Sequence, residues 1–204
     1  GSIPLDKGTI LINNQKINTL KEFERYKTIG RVYQDPSKGT CPTMTILENM
    51  SLADNKNRSF NLSWGTNKKR IDYYKELLSQ LNLGLEDKLG VKVGLLSGGQ
   101  RQAMALLMTT MSPIEILILD EHTAALDPKT AEIIMELTNN IVKKKKITTL
   151  MVTHNLMHAL HYGNRLIMMH EGNAIMDLNE QDKKSTSVDN ILNVFNKISL
   201  ERGN

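Results

Sequence analysis

The sequence is poor in cysteine and has no long hydrophobic run. Its 204 residues include one cysteine, Cys41, so no disulfide can form within the chain, as is usual for proteins of a reducing compartment. No apolar run approaches the ~20 residues that a membrane-spanning helix needs, and no basic segment followed by an apolar one opens the chain, so neither a transmembrane helix nor a secretory signal is predicted. The net charge of +4 is modest and spread along the chain, so it gives little support to a nucleic-acid or anionic-lipid partner, and no nucleic-acid partner is predicted.

Glycine followed by lysine is also missing. None of the 13 glycines precedes a lysine. These residues therefore do not contain the loop Gly-x-x-x-x-Gly-Lys-Ser/Thr, which surrounds phosphate groups in many proteins. The rest of the composition is ordinary, because 40% hydrophobic and 24% charged residues are enough for one globular domain with a core.

A glycine-rich turn opens a predicted helix at residues 96–100, Leu-Ser-Gly-Gly-Gln. Ser97 is a good N-cap, because its hydroxyl can accept hydrogen bonds from amides two or three residues further on. Gly98 and Gly99 let another group approach the backbone closely. The free amides and the positive end of the helix dipole then favour binding of an anion.

Four apolar residues at 116–119 are followed by two carboxylates, Asp120 and Glu121. Such a run is typical of a strand buried on both faces, and its carboxyl end is where open α/β sheets bind ligands. Neighbours on a strand point to opposite faces, so we expect the two carboxylates to have different tasks if the strand continues to its end. An anion site next to carboxylates indicates phosphate together with a divalent cation.

Strands and helices alternate along much of the chain. Strands are predicted at 28–33, 116–121 and 147–153, helices at 43–52, 68–83, 100–111 and 129–144, and then a hairpin at 165–178 and a closing helix at 187–200. The strands at 116–121 and 147–153, joined by a helix, predict a right-handed parallel crossover. That crossover would bring His154 beside Asp120 and Glu121 at one edge of the sheet.

The segments at 96–100 and 116–121 resemble the signature motif and the Walker B strand of the ATP-binding cassette ATPases, in the family's order and one helix apart. The resemblance implies an α/β, P-loop NTPase-like fold in a single nucleotide-binding domain that is truncated at its N-terminus. Its mostly parallel sheet core would comprise residues 1–34 and 95–204, and its helical subdomain about 35–94. ATP and Mg²⁺ are the ligands implied.

The resemblance also implies a role for each matching residue in hydrolysis. Asp120 would hold Mg²⁺, and Glu121 would polarise the attacking water as general base. His154 resembles the switch histidine that contacts the γ-phosphate. Gln34, in the Gln-Asp-Pro break after the first of these strands, resembles the glutamine that reaches Mg²⁺ or the attacking water.

A head-to-tail homodimer with shared ATP sites is implied as well. The signature residues would contact the nucleotide held by a second copy of the chain, and Asp127 would couple the two sites. The residues assigned to nucleotide binding in this way are Ser97, Gly98, Gly99, Gln100 and Asp127.

Because the phosphate-binding loop is absent, the resemblance identifies a fragment cut inside the helix that follows this loop, about ten residues after it. We expect this chain alone to bind ATP poorly and not to hydrolyse it, so the activity belongs to the intact parent subunit. We also expect an unpaired sheet edge, which favours aggregation or strand swapping.

One branch of the family is the most similar. The segments at 120–130, 149–155 and 163–172 resemble the ATPase subunits of bacterial importers for tryptophan, tyrosine or related amino acids, although His122 stands where most members have proline. Such subunits associate peripherally with the cytoplasmic face of the cell membrane, through a permease that also receives a substrate-binding lipoprotein. Two alternatives stay open: a soluble cassette ATPase of DNA repair or translation, and a non-catalytic cassette-like interaction module.

Overall fold

The computed structural model describes residues 3–57 and 65–201, with side chains described up to residue 196. Contacts divide the chain into two compact units, Gly1–Val152 and Thr153–Asn204. This division differs from the predicted boundary between sheet core and helical subdomain, which stays a prediction. In the described ranges, no helix combines the length and the hydrophobicity needed to cross a membrane.

A three-stranded parallel sheet forms the centre of the first unit. Its strands, in spatial order, are β3 (Ile29–Val32), β4 (Ile116–Asp120) and β5 (Thr148–Val152). Leu117 and Leu119 of the central strand are almost completely buried, because helices and strands surround β4. The predicted parallel pairing of the strands at 116–121 and 147–153 is confirmed.

Smaller elements precede this sheet. They are the antiparallel pair β1 (Leu11–Ile12) and β2 (Gln15–Lys16) and the short helix α1 (Glu22–Arg25). The last strand, β5, pairs only with β4 within the described residues, and its side chains Leu150 and Val152 are 57% and 49% exposed.

Four longer helices build the main core of this unit, and the last two of them also pack on the sheet. They are α2 (Ile46–Asp54), α3 (Ile71–Ser79), α4 (Gly98–Met111) and α5 (Pro128–Lys145). Thr45 starts α2 with a capping box to Glu48, since each group satisfies the other's backbone amide. Tyr74 and Leu78 lie one turn apart on α3 and are buried together against Met104 of α4.

The second unit contains a hairpin and three helices. Its elements are α6 (Leu156–His161), β6 (Leu166–His170), β7 (Asn173–Leu178), α7 (Glu180–Ser185) and α8 (Val188–Glu201). Glu171 and Gly172 join the two strands and both have positive φ, 45° and 79°, as a two-residue hairpin turn of the mirror-image type requires. The predicted hairpin and closing helix are confirmed, whereas α7 was not predicted.

Candidate functional site

A cleft of about 650 Å³ lies in the first unit at the carboxyl ends of β3 and β4. Its walls are the end of β3 with the turn that follows, the first turns of α4, and the residues around the end of β4. Three of the predicted site residues, Gln34, Gly98 and Asp120, line it together. The cleft is therefore at the edge where open α/β sheets bind ligands.

The Asp120 carboxylate forms an ion pair with Arg31, which was not among the site residues predicted from the sequence. Nη2 of Arg31, on the neighbouring strand, lies 2.6 Å from Oδ2 of Asp120, and the guanidinium stacks over the Tyr33 ring with 4.6 Å between its carbon and the ring centre. The hydrogen bond to Asp120 raises the pKa of the Arg31 guanidinium. Arg31 is opposite Ile118 in the β3–β4 register, two residues before Asp120, so both side chains lie on the same face.

Glu121 does not continue the strand. β4 ends at Asp120, and Glu121 has a φ of 45°, in the left-handed region that non-glycine residues rarely adopt. Its N–H donates to the carbonyl of Val152 at 3.0 Å, and its own carbonyl accepts from Ala124 N–H at 2.9 Å. The expected alternation of Asp120 and Glu121 therefore fails, because the backbone turns at Glu121. Backbone strain of this kind is often found at functional sites and costs about 1–3 kcal/mol.

The turn that carries Gln34 is anchored to α4. Nε2 of Gln102, which is 1% exposed, donates to the carbonyl of Tyr33 at 3.0 Å. On the other side of Gln34, Asp35 accepts from Ser37 N–H at 2.9 Å, and its bonds to Ser37 lower the pKa of the Asp35 carboxyl. The Gln34 side chain itself is exposed between these two anchors.

The predicted N-cap of α4 is confirmed. Oγ of Ser97 accepts from Gln100 N–H, and Oε1 of Gln100 accepts from Ser97 N–H, both at 3.2 Å. Nε2 of the Gln100 side chain also donates to the carbonyl of Leu83 at 3.2 Å, so both the oxygen and the nitrogen of this amide have a partner within the chain. Ser97 is exposed.

The two glycines of the signature are packed against the start of α5. A Cβ atom at Gly99 would lie 2.4 Å from Cγ2 of Thr130, and one at Gly98 would lie 3.4 Å from Cδ2 of Leu126. Gly99 is buried, whereas Gly98 is partly exposed and lines the cleft. Close helix packing within this chain is therefore a sufficient reason for glycine at position 99.

Asp127 and His154 lie in different units. Asp127 is the N-cap of α5, where Oδ1 accepts from Thr130 N–H at 3.0 Å, and its bonds to Thr130 lower its pKa. His154 is exposed in the second unit, just before α6. The predicted proximity of His154 to Asp120 and Glu121 stays a prediction.

His122, the residue that departs from the family pattern, is buried. Its Nε2 lies 3.1 Å from Oγ1 of Thr138 on α5. That hydroxyl donates its only proton to the carbonyl of Ile134 at 2.6 Å, so Nε2 of His122 carries the proton and donates to Thr138. His122 thus ties the turn after β4 to α5.

Known proteins resemble this chain over most of its length. A family described as ABC transporter matches residues 1–124. The chain is 47% identical over 195 residues to a tyrosine transport ATP-binding protein of Clostridioides difficile, covering 96% of this chain and 77% of that protein. It is 30% identical over 201 residues to a xylose/arabinose import ATP-binding protein of Sulfolobus acidocaldarius, covering 98% and 76%.

Solved structures with similar folds are also cassettes. An ATP-binding cassette of an ABC transporter in its ADP conformation superposes with a TM-score of 0.76 at 25% identity, covering 96% of this chain and 79% of that one. A dimeric cassette in a post-hydrolysis state, bound to ADP and Pi, gives 0.69 at 29% identity, covering 86% and 74%. The predicted α/β, P-loop NTPase-like fold is confirmed.

Proposed function

Because the chain belongs to the ABC transporter ATPases, as its sequence predicts, we propose that it comes from the ATP-hydrolysing subunit of an importer that takes up an amino acid through a membrane permease. Members of this family bind ATP. The observation that carries the catalytic part of the proposal is the cleft that brings Gln34 and Asp120 together at the end of the parallel sheet. The amino-acid part rests on the 47% identity to a tyrosine transport protein.

The residues of the cleft suit a magnesium ion with its nucleotide. A carboxylate at Asp120 and an amide oxygen at Gln34 are hard oxygen donors of the kind that Mg²⁺ prefers, and phosphate oxygens and water would complete the set. When bound, Mg²⁺ neutralises charge that builds up on the phosphate oxygens. Arg31 keeps the Asp120 carboxylate oriented along the sheet edge.

Hydrolysis would then depend on residues that orient water and protons. Glu121 is the general base in this proposal, and its position is set by the backbone turn and its bond to Val152. Gln34 would orient the attacking water from the other wall of the cleft, and His154 would contact the γ-phosphate.

The proposed assembly is a head-to-tail homodimer bound to the permease. Ser97 is exposed at the N-terminus of α4, where a helix favours an anion, so it is available to the nucleotide of a second copy. Asp127 is also exposed, and it lies between Leu126 and Thr130, whose side chains pack on the glycines of the signature. A substrate-binding lipoprotein would act through the permease, which would also hold the subunit at the cytoplasmic face of the membrane.

These 204 residues alone should not hydrolyse ATP, because they lack the lysine and hydroxyl that hold the β- and γ-phosphates. The test is calorimetric titration of Mg-ATP, with a phosphate-release assay, on this chain and on a longer chain that includes the upstream coding sequence. We expect binding and hydrolysis only in the longer chain. Equal binding by both would contradict the site, and absence of binding in both would favour a non-catalytic interaction module.

The general base is tested in the longer chain. Glu121→Gln should keep Mg-ATP binding and lower the hydrolysis rate by roughly 100-fold or more. Glu76→Gln, on the exposed side of α3, removes the same charge away from the cleft and should leave both unchanged. Equal rates in the two variants would exclude Glu121 from this role.

A further inference from the structure

Gln102 is a buried polar residue in the wall of the cleft. Its side chain is 1% exposed, and Gln34 lines the same cleft. Nε2 of Gln102 donates to the carbonyl of Tyr33 at 3.0 Å, whereas Oε1 is buried and has no hydrogen-bond partner among the described residues. Buried polar groups in folded proteins are almost always hydrogen-bonded, so one acceptor in this wall still needs a donor.

Chemistry distinguishes the two ends of the Gln102 amide. A carbonyl can only accept, so the nitrogen must face Tyr33, and the oxygen is the atom left over. The carbonyl that Gln102 binds belongs to the peptide bond between Tyr33 and Gln34. Gln102 therefore contacts the backbone where Gln34 begins, and the side chain of Gln34 is exposed in the same cleft.

Gln102 is carried by a well-packed part of α4. The next residue, Ala103, is completely buried. Further along the helix, Cγ2 of Thr109 would lie 2.7 Å from a Cβ atom at Gly30 of β3. Close packing at both places fixes α4 against the strand that ends next to Gln34. A side chain held in this way can set the position of an exposed neighbour.

The Gln34 side chain has the donor that matches the unpaired acceptor. An amide that gives its oxygen to a cation or to a water proton keeps its two N–H groups for other partners. In the proposed function Gln34 presents its oxygen in the cleft, so these N–H groups remain for a second contact. Oε1 of Gln102 is an acceptor in the same wall.

We propose that Gln102 is a positioning residue for Gln34. Its Nε2 fixes the peptide before Gln34, and its Oε1 accepts from the side-chain N–H of Gln34 when that side chain turns into the cleft. This contact determines which end of the Gln34 amide faces the reaction, because the nitrogen is held and the oxygen is presented. The role in hydrolysis rests on the proposed function, whereas the attachment of the turn to α4 does not.

The attachment is tested in this 204-residue chain by NMR relaxation, which measures the backbone order parameter at Gln34. We expect a value near 0.85 in the unaltered chain and a value below about 0.6 in Gln102→Met, which removes the donor to Tyr33. Gln80→Met is the matched control, because Gln80 is exposed at the end of α3, and it should leave the value unchanged. A value below about 0.6 in the unaltered chain would overturn the proposal even if Gln102→Met does not fold.

The role in hydrolysis is tested in the longer chain with the phosphate-release assay. Gln102→Met and Gln34→Ala should each lower kcat by roughly tenfold to 100-fold, because misplacing an orienting group by about 1 Å has effects of this size. If Gln102 acts through Gln34, the double variant should be no slower than Gln34→Ala alone. Losses that multiply would show that Gln102 acts independently of Gln34 and would overturn the proposal. Gln80→Met should leave kcat unchanged.

Failure of this inference and failure of the proposed function give different results. A longer chain that does not hydrolyse ATP would contradict the proposed function, while the order parameter at Gln34 would still show whether Gln102 holds the turn. A longer chain that hydrolyses ATP, but in which the two losses multiply or Gln34 is equally ordered with and without Gln102, would overturn this inference alone.

Discussion

Gly99→Ala is expected to destabilise the chain, because another helix fills the space beside Gly99. The added Cβ would lie 2.4 Å from Cγ2 of Thr130, whereas carbon atoms in contact are about 3.5–4.0 Å apart. Thr130 cannot easily turn away. Its side chain is hydrogen-bonded to the Asp127 carboxylate, and threonine has only two common χ1 rotamers in a helix.

The magnitude follows from two opposing terms. Forcing a methyl group into a packed contact costs about 1–3 kcal/mol, while replacing glycine by alanine in a helix gains up to about 1 kcal/mol. We therefore expect Gly99→Ala to lower the free energy of unfolding by about 1–2 kcal/mol. Thr130→Ser removes the methyl that is contacted, so the double variant should recover most of this loss.

Equilibrium urea unfolding followed by circular dichroism measures these differences. Gly98→Ala is the matched control, because its Cβ would have an ordinary contact of 3.4 Å with Leu126 and should cost little. Undiminished stability of Gly99→Ala, or failure of Thr130→Ser to restore it, would refute the packing argument. In the longer chain, the double variant can also be tested for dimer formation with nucleotide. If its stability is restored but it does not form the dimer, the proposed nucleotide role of Gly99 is separate from its packing role.

Substitutions at three further residues test contacts around the site and in the second unit. Asp127→Ala should lower the free energy of unfolding at pH 7, because it removes the N-cap of α5. Because bonds to Thr130 lower the pKa of Asp127, this stabilisation is present above the unfolded pKa of about 3.9 and is lost as pH falls through the folded pKa. If the variant and the unaltered chain still differ in stability well below that pH, the pH argument is wrong. His122→Ala should lower the free energy of unfolding measured in urea by about 1–3 kcal/mol, because it removes a buried hydrogen-bond donor. His122→Gln should lower it less. Equal losses in the two variants would argue against the hydrogen bond. Lys183→Met should speed amide hydrogen exchange in α6, because the buried ammonium donates to two carbonyls just after that helix, and unchanged exchange there would exclude this anchoring role.

The strands and caps of the first unit were predictable because local patterns determine them. The strand predicted at 28–33 is observed at Ile29–Val32, and the one predicted at 147–153 is observed at Thr148–Val152. Ser97 caps α4 because its side chain and the amide it binds are three residues apart. The helix α7 was missed, since its sequence Glu-Gln-Asp-Lys-Lys-Ser has no apolar periodicity and it begins only with the Asn179 cap.

The site was less predictable, because its contacts join residues far apart in the sequence. Arg31 and Asp120 are 89 residues apart, and only the β3–β4 register places them side by side. The backbone turn at Glu121 depends on the bond of its amide to Val152 on the next strand, which no local pattern announces. An arginine within a strand was the one signal that could have pointed to Arg31, since a partly buried charge usually has a partner.

The Arg31–Asp120 pair has a consequence for how a metal ion would enter the proposed site. A free divalent cation would compete with the guanidinium for the carboxylate, because Oδ2 of Asp120 is already bound to Nη2 of Arg31. A cation that arrives with phosphate groups would bring an anion with which the guanidinium can pair. In the proposed site, the metal–nucleotide complex would therefore bind Asp120 more favourably than the bare metal ion.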